Sequence, residues 1–531
     1  MALLLFAGDK DGPNSYGSQC RGGGEVLVLD LLLERYDDDL AWELATHRTL
    51  FTLYSSNAAA IRDRMRDLLS LVTYFERSSA ECHQACLDVV RSRIATNSAL
   101  LAPWRQLPCD LWSEIFLYAA PDRWDRHFAG TMTPNFAQVC RVWRQVAFNT
   151  TGLWVYFNVN AYYHNPSDCR EAIIEEMRRS MQAPLQLLNI NATRWTCEGR
   201  CVLDKDWSEQ IWELLCAQSR RWAKLKSDVL VTEQYRALSG RSFPILQSLT
   251  FGMLPARPGR DDPQPLDFFS DAPMLSELTI ESLAPPNPPR ARPVRFSTAW
   301  VLQSLDMSCS TECDEATVPL SDCLDAIMTC GPTLRKCTIW CAEVGTLPAN
   351  HNITDFPRLG ELTLQGNAVH LCRFVSAPNV TMIIFEDNFG PETSPAPSSL
   401  AEMVDRSAGC VHLEAFTLSN IHSNSHELIN CLWRLQNLIS LRIWDSAPHA
   451  DRSYAVSRSK ELVNALTRHN SGLGTSEDHV LLPHLERLDM VPLFQSTVDP
   501  AFEGAVAAMI KSRQKPLVWR DKTLPGLPRS A

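Results

Sequence analysis

Four pairs of cysteines share one spacing, with three residues between the two thiols. The pairs are Cys82 with Cys86, Cys197 with Cys201, Cys309 with Cys313 and Cys337 with Cys341. A structural zinc site needs two pairs that converge, the second with tighter spacing, and the sequence supplies no such partner pair. Cys337 falls on an inward position of a strand predicted below. We therefore expect these thiols to pack in the interior, with no metal and no cofactor.

Two histidines, His422 and His426, lie four residues apart in a polar segment, and no acidic residue lies between them. The zinc metalloprotease motif requires a glutamate in that interval, so we expect surface histidines. The sequence also lacks a phosphate-binding loop, a dinucleotide fingerprint and a Gly-x-Ser-x-Gly elbow. We expect no catalytic residue and no enzymatic activity. A stand-alone enzyme that uses a cysteine or a histidine is the alternative.

The composition limits the partners that this chain can have. It has 531 residues, a formal charge of −11, 45% hydrophobic and 21% charged residues, which is typical of a folded protein of about two to four domains. Nucleic acid binding needs a concentrated basic surface, so we expect none. A membrane span needs about 18 continuous apolar residues, and no window has them. The opening "MALLLFAG" lacks the basic start of a secretory signal, so we expect a cytoplasmic or nuclear protein with reduced cysteines.

The first hundred residues divide into a polar leader and a helical segment. Residues 1–24 are rich in Gly, Ser and Asp, and we predict that they are disordered. Residues 25–104 form the helical segment, and from Asn57 to Leu101 its apolar residues recur every three or four positions. This pattern predicts a helical hairpin, or a coiled coil with another chain as the alternative.

The stretch "LPCDLWSEIF" at 107–116 predicts a short and unusually apolar helix. Pro108 suits its first turn, and Asp110 favours the positive end of the helix dipole. A stripe forms on one side from Leu111, Ile115 and Ala119, and Trp112 and Phe116 widen it. Two or three helices this short cannot bury so many apolar side chains among themselves, so we expect a partner surface here.

A second apolar helix is predicted in "TPNFAQVCRVWRQVAF", with Thr133 as its cap and Pro134 in its first turn. The residues expected on one face are Phe136, Val139, Cys140, Trp143, Val146 and Ala147. A short turn, "NTTGLW", then places Leu153 and Trp154 before an extended run.

Together these two stretches resemble an F-box over residues 105–158. The shared features are the leucine-proline, the acidic residue, the isoleucine-phenylalanine and the later valine-cysteine-x-x-tryptophan, in the same order and spacing. The preceding "SALLAPWRQLP" is similar to the helical lead of many F-box proteins of mushroom-forming fungi. Departures are Cys109, where a second proline is common, and a divergent loop at 121–132.

The resemblance implies a substrate-recognition subunit of a Skp–cullin–F-box ubiquitin ligase. The F-box would dock on the Skp adaptor, and through it on a cullin–RING complex, while the rest of the chain holds an unknown target protein. The residues carried over to the adaptor contact or its supporting core are Leu107, Pro108, Leu111, Ile115, Phe116, Val139, Cys140, Trp143, Val146 and Trp154. The alternatives are a non-catalytic interaction scaffold without cullin or ubiquitin transfer, and helices that merely pack on the repeats.

The second half of the chain repeats a six-residue phrase, apolar-x-x-apolar-x-apolar, in which x is any residue. Its nine copies begin at Leu246, Leu275, Leu302, Leu334, Leu359, Val380, Leu413, Leu438 and Leu485. The step between copies varies from 21 (380 minus 359) to 47 residues (485 minus 438). This period predicts an irregular α/β leucine-rich-repeat solenoid, or horseshoe, over residues 159–513, with a closing helix at 501–513 and a disordered tail at 514–531. The overall class is α+β multidomain.

The alternation of each predicted strand also assigns its two faces. The second and third apolar residues of a phrase point inward, and "PLQLLNI" (184–190) and "RWAKLKS" (221–227) are two further, atypical strands. The outward residues include five threonines (Thr250, Thr279, Thr338, Thr363 and Thr417), but Trp340 and Trp444 break the polar rule, as do Met382 and Ile384. These four are the candidate target-binding residues, unless connections cover them. Proline-rich stretches at 255–265, 284–293 and 390–399 are predicted loops, the middle one alternatively a polyproline ligand.

Overall fold

The computed structural model divides into two units, before and after the 154–155 peptide bond. The residues that it describes are 55–77, 82–101, 107–120, 135–158, 166–188, 194–195, 201–202, 205–230, 237–238, 240–253, 269–282, 296–309, 320–341, 344, 347, 352–386, 396–419, 425–445, 460–468, 480–492, 500–514, 517–519 and 522–524. The predicted leader 1–24, the cap at Thr133, His422 and the proline-rich stretches at 255–265 and 284–293 lie outside them.

The first elements that the structure describes in the first unit are two helices, α1 (Ser55–Arg77) and α2 (Cys82–Leu100), which cover the periodic segment from Asn57 to Leu100. They run antiparallel, because residues further before the connection contact residues further after it. Arg91 Nη2 lies 2.8 Å from Glu76 Oε1, and the Ser98 hydroxyl lies 3.9 Å from Met65 Sδ. Their shared core consists of Leu68, Phe75, Leu87 and Val90. The two helices therefore form a hairpin that buries its own seam.

Two more helices follow, α3 (Cys109–Ala119) and α4 (Arg141–Asn149), with single 3₁₀ turns at Asn135–Gln138 and Thr151–Trp154. The prediction of one continuous helix through this stretch is wrong between residues 138 and 141, because the first 3₁₀ turn ends at Gln138 and α4 begins only at Arg141. Cys140 is extended (φ −158°, ψ 168°), and its Sγ accepts a hydrogen bond from the Trp143 amide at 3.4 Å. The thiol thus caps α4, and Val139 stands outside the helix.

The second unit contains both strands and helices. Its strands are β1 (Tyr156–Asn158), β2 (Leu185–Leu188), β3 (Arg194–Trp195), β4 (Cys201–Val202), β5 (Trp222–Leu230), β6 (Ser248–Met253), β7 (Glu277–Ser282), β8 (Ser304–Cys309), β9 (Lys336–Cys341), β10 (Thr354–Asp355), β11 (Glu361–Gly366), β12 (Val375–Ser376), β13 (Met382–Glu386), β14 (Ala415–Ser419), β15 (Ser440–Asp445), β16 (Arg487–Pro492), β17 (Leu517–Trp519) and β18 (Lys522–Leu524). Its helices are α5 (Pro166–Ser180), α6 (Lys205–Cys216), α7 (Leu320–Cys330), α8 (Ala396–Arg406), α9 (Ser425–Leu432), α10 (Lys460–Leu466) and α11 (Pro500–Arg513), and 3₁₀ turns occur at Ser219–Arg221 and Asn367–Arg373.

Twelve of these strands form one sheet, in the order β1-β2-β5-β6-β7-β8-β9-β11-β13-β14-β15-β16 among the described residues. Every neighbouring pair is parallel. Each new strand is added beside the previous one, so the sheet grows in chain order. Parallel neighbours need crossover connections, and the helices between consecutive strands supply several of them. The combination of helices with a parallel sheet agrees with the expected α+β class.

The register of this sheet aligns the nine repeated phrases. Leu249, Leu278, Leu305, Cys337, Leu362, Ile383, Phe416, Leu441 and Leu488 stand side by side on successive strands. All but the last are buried, and Leu488 packs against the same core. The predicted inward positions are therefore confirmed, and the two atypical strands are confirmed as β2 and β5.

One hydrophobic core joins the inner face of the sheet to the helices. It combines the inward strand residues with buried side chains of the crossovers, for example Ile327 of α7, Met403 of α8 and Leu432 of α9. Full burial of such a side chain stabilises the fold by roughly 1.5–3 kcal/mol. Because each crossover packs beside the next, the core runs from β1 to α11.

The closing helix α11 is held by a buried cation. Arg513 is fully buried, and its guanidinium donates to the carbonyl oxygens of Leu466, Leu481 and Leu482 at 2.6, 2.6 and 3.1 Å. Burial, and secondarily the nearby Arg468, lower the pKa of Arg513 to about 9, so it stays charged at neutral pH. The last residue of the helix therefore ties it to the chain before β16.

Three segments differ from the expected boundaries. β1, which falls inside the stretch 105–158 that resembles an F-box, pairs with β2 of the second unit. Helix α8 begins at Ala396, inside the proline-rich stretch 390–399, because Pro397 sits in its first turn. The tail 514–531, expected to be disordered, contains β17 and β18, which pair antiparallel and satisfy each other's backbone groups. None of the described helices combines the length and apolar character that a bilayer crossing requires.

Candidate protein-interaction surfaces

Helix α3 is apolar on two sides, and only one of them is buried. Trp112 and Phe116 lie in the interior of the first unit. Leu111 and Ile115 are exposed by 49% and 43%, although each is adjacent in sequence to a core residue. Residues three and four apart share one side of a helix, so Leu111 and Ile115 form one row. Tyr118, exposed by 95%, extends this row by another turn, and the exposed Pro108 precedes it.

The core behind this row is aromatic. The Trp112 and Trp143 ring centroids lie 4.6 Å apart, and Phe116 stacks on Phe136 at 4.4 Å. Phe116 also meets Trp143 edge-on at 5.3 Å. The Trp154 indole N–H donates to the Ala147 carbonyl oxygen at 2.8 Å. Such ring contacts add roughly 0.5–1.5 kcal/mol each beyond area burial, so α3 is anchored without the help of its outer row.

The ten residues carried over from the F-box resemblance fall into three groups. The buried ones are Phe116, Val146 and Trp154; the half-buried ones are Leu107, Cys140 and Trp143; the exposed ones are Pro108, Leu111, Ile115 and Val139. Leu107, Cys140 and Trp143 pack against the aromatic core. Buried residues support the fold, and exposed apolar residues are available to a partner. Sequence reasoning missed Tyr118, although its spacing of three from Ile115 indicated the same row.

The outer face of the sheet carries the four candidate target-binding residues. Trp444 and Met382 are exposed by 40% and 38%, while Trp340 and Ile384 are half-buried. One register row contains both tryptophans, in the order Trp340, Gln365, Glu386, Ser419 and Trp444. The neighbouring row contains Thr338, Thr363, Ile384, Thr417 and Arg442. Met382 belongs to a third row, beside Glu361 and Ala415. The sheet therefore brings Trp340 and Trp444 into one line.

Polar contacts tie the side chains of this outer face together. Gln365 Nε2 donates to Glu386 Oε2 at 2.9 Å, between the two tryptophans. The Arg442 guanidinium lies 4.9 Å from the Trp444 ring centroid and 3.1 Å from Asp489 Oδ2. A guanidinium over an aromatic face gains about 0.5–1 kcal/mol at an exposed site. The outer face thus holds a cation between a ring and a carboxylate.

The two cysteines of β9 lie in an environment that disfavours reactivity. Burial raises the pKa of the Cys337 and Cys341 thiols to about 12, so both are protonated at neutral pH. A thiol nucleophile or zinc ligand needs the thiolate. Within the described ranges, no three or more His, Cys, Asp and Glu side chains come together as a metal site. His426 is exposed on α9.

The described residues thus define a protein of two units, one helical with an exposed apolar row and one with a parallel sheet and an outer face that bears aromatic rings. No family model matches this chain, and no curated protein sequence matches it either.

Proposed function

We propose that this chain is the substrate-recognition subunit of a Skp–cullin–F-box ubiquitin ligase. The observation that carries the proposal is the exposed apolar row of Leu111, Ile115 and Tyr118 on a helix whose other side is firmly packed. Such a row is costly in water and favourable in an interface. It lies on the helix whose sequence, with that of α4, resembles an F-box, and it would dock on the Skp adaptor.

The second unit, on this proposal, is an irregular leucine-rich-repeat solenoid that holds the target. The parallel strands added in chain order and the aligned apolar phrases support this interpretation. The chain itself would provide no nucleophile. It would raise the effective concentration of a target lysine near the charged conjugating enzyme of the cullin–RING complex.

The test is co-purification of the full chain with the Skp adaptor of its host. The variant Leu111→Asp, Ile115→Asp places two carboxylates in the proposed interface and leaves the aromatic core untouched. Burying an unpaired carboxylate is strongly unfavourable, so we expect adaptor affinity to fall by about 100-fold or more. Circular dichroism and the thermal midpoint should match those of the wild type, because both side chains are exposed.

The control is Cys109→Asp, which adds one acidic residue to the same helix outside the row, at an exposed position. It should bind the adaptor like the wild type, since an acidic residue in the first turn also suits the helix dipole. Phe116→Ala serves as the reference for a damaged core. Absence of adaptor binding by the wild type, or full binding by the double variant, would refute the proposal.

Addition of the cullin–RING complex to the purified adaptor complex separates the proposal from its closest rival. Co-elution of all components, with ubiquitin transfer to a bound protein, is the expected result. Adaptor binding without cullin recruitment would instead identify a non-catalytic interaction scaffold.

A further inference from the structure

We draw no further inference here: the strongest candidate, the cluster of Arg442, Trp444 and Asp489 on the outer face of β15 and β16, already pairs its cation with its own carboxylate, and nothing in the structure shows which partner covers the exposed part of its ring.

Discussion

At the scale of single residues, burial decides what the cysteines can do. Cys337, Cys341 and Cys431 lie in the main core, and burial raises the pKa of each thiol to about 12. Cys140 has a different role, since its sulfur caps α4. The repeated spacing of four therefore reflects packing at Cys337 and Cys341, where both thiols lie on the inner side of β9.

Thiol labelling tests this assignment. At pH 8, iodoacetamide should alkylate the exposed Cys109 in the folded chain within minutes, while Cys337 and Cys431 should react only after unfolding in urea. Peptide mapping by mass spectrometry distinguishes the sites. Fast alkylation of Cys337 in the folded chain would support the alternative of a reactive cysteine.

The buried thiols also make stability depend on pH. Because their pKa values in the folded chain are raised, these thiols favour folding below about pH 9, and that contribution is lost as pH rises from about 9 to about 12.

At the scale of elements, the alternation along each strand decides which of its side chains enter the core of the second unit. In β11, Leu364 is fully buried, while Thr363 lies on the outer face. Leu364→Ala should lower the free energy of unfolding by about 2–5 kcal/mol, because it leaves a cavity in the core. Thr363→Ala on the same strand should change it by less than about 1 kcal/mol. Urea denaturation measures both, and equal losses would show that the two faces of β11 are packed alike.

The sequence predicts these strands well because a period of two is a local property. Each phrase indicates its own inward residues, and the parallel register then aligns Leu362 with Ile383 without further information. Helices α3 and α4 were harder to predict. Trp112 and Leu111 are both apolar neighbours on one short helix, and only packing against Trp143 decides which of them is buried. Likewise, the start of α4 depends on the extended backbone of Cys140, which periodicity does not reveal.

At the scale of the whole molecule, the sequence indicates a change of architecture near residue 158, and the structure divides the chain at 154–155. The sequence prediction rests on helical periodicity before residue 158 and a period of two after it. The line of Trp340 and Trp444 across five strands was not predictable as a surface. It depends on strand order and register over more than a hundred residues, which no local pattern specifies.

Separate hydrophobic cores in the two units lead to a prediction about cooperativity. Phe116 belongs to the aromatic core of the first unit, and Leu364 belongs to the core of the second. Phe116→Ala should therefore lower the midpoint temperature of one calorimetric transition, and Leu364→Ala should lower that of another. The expected losses in free energy of unfolding are about 3–5 kcal/mol and about 2–5 kcal/mol, respectively. In the double variant the two effects should add within about 0.5 kcal/mol, because the two residues belong to different cores.

A single transition lowered by either substitution would show instead that the chain unfolds as one unit. The distinction matters for the binding experiments. On the proposed function, adaptor binding would depend on the first core, through the packing of α3, and target binding would depend on the second core, through the register of the sheet. If the transitions are separate, loss of one activity in a variant leaves the other as an internal measure of correct folding.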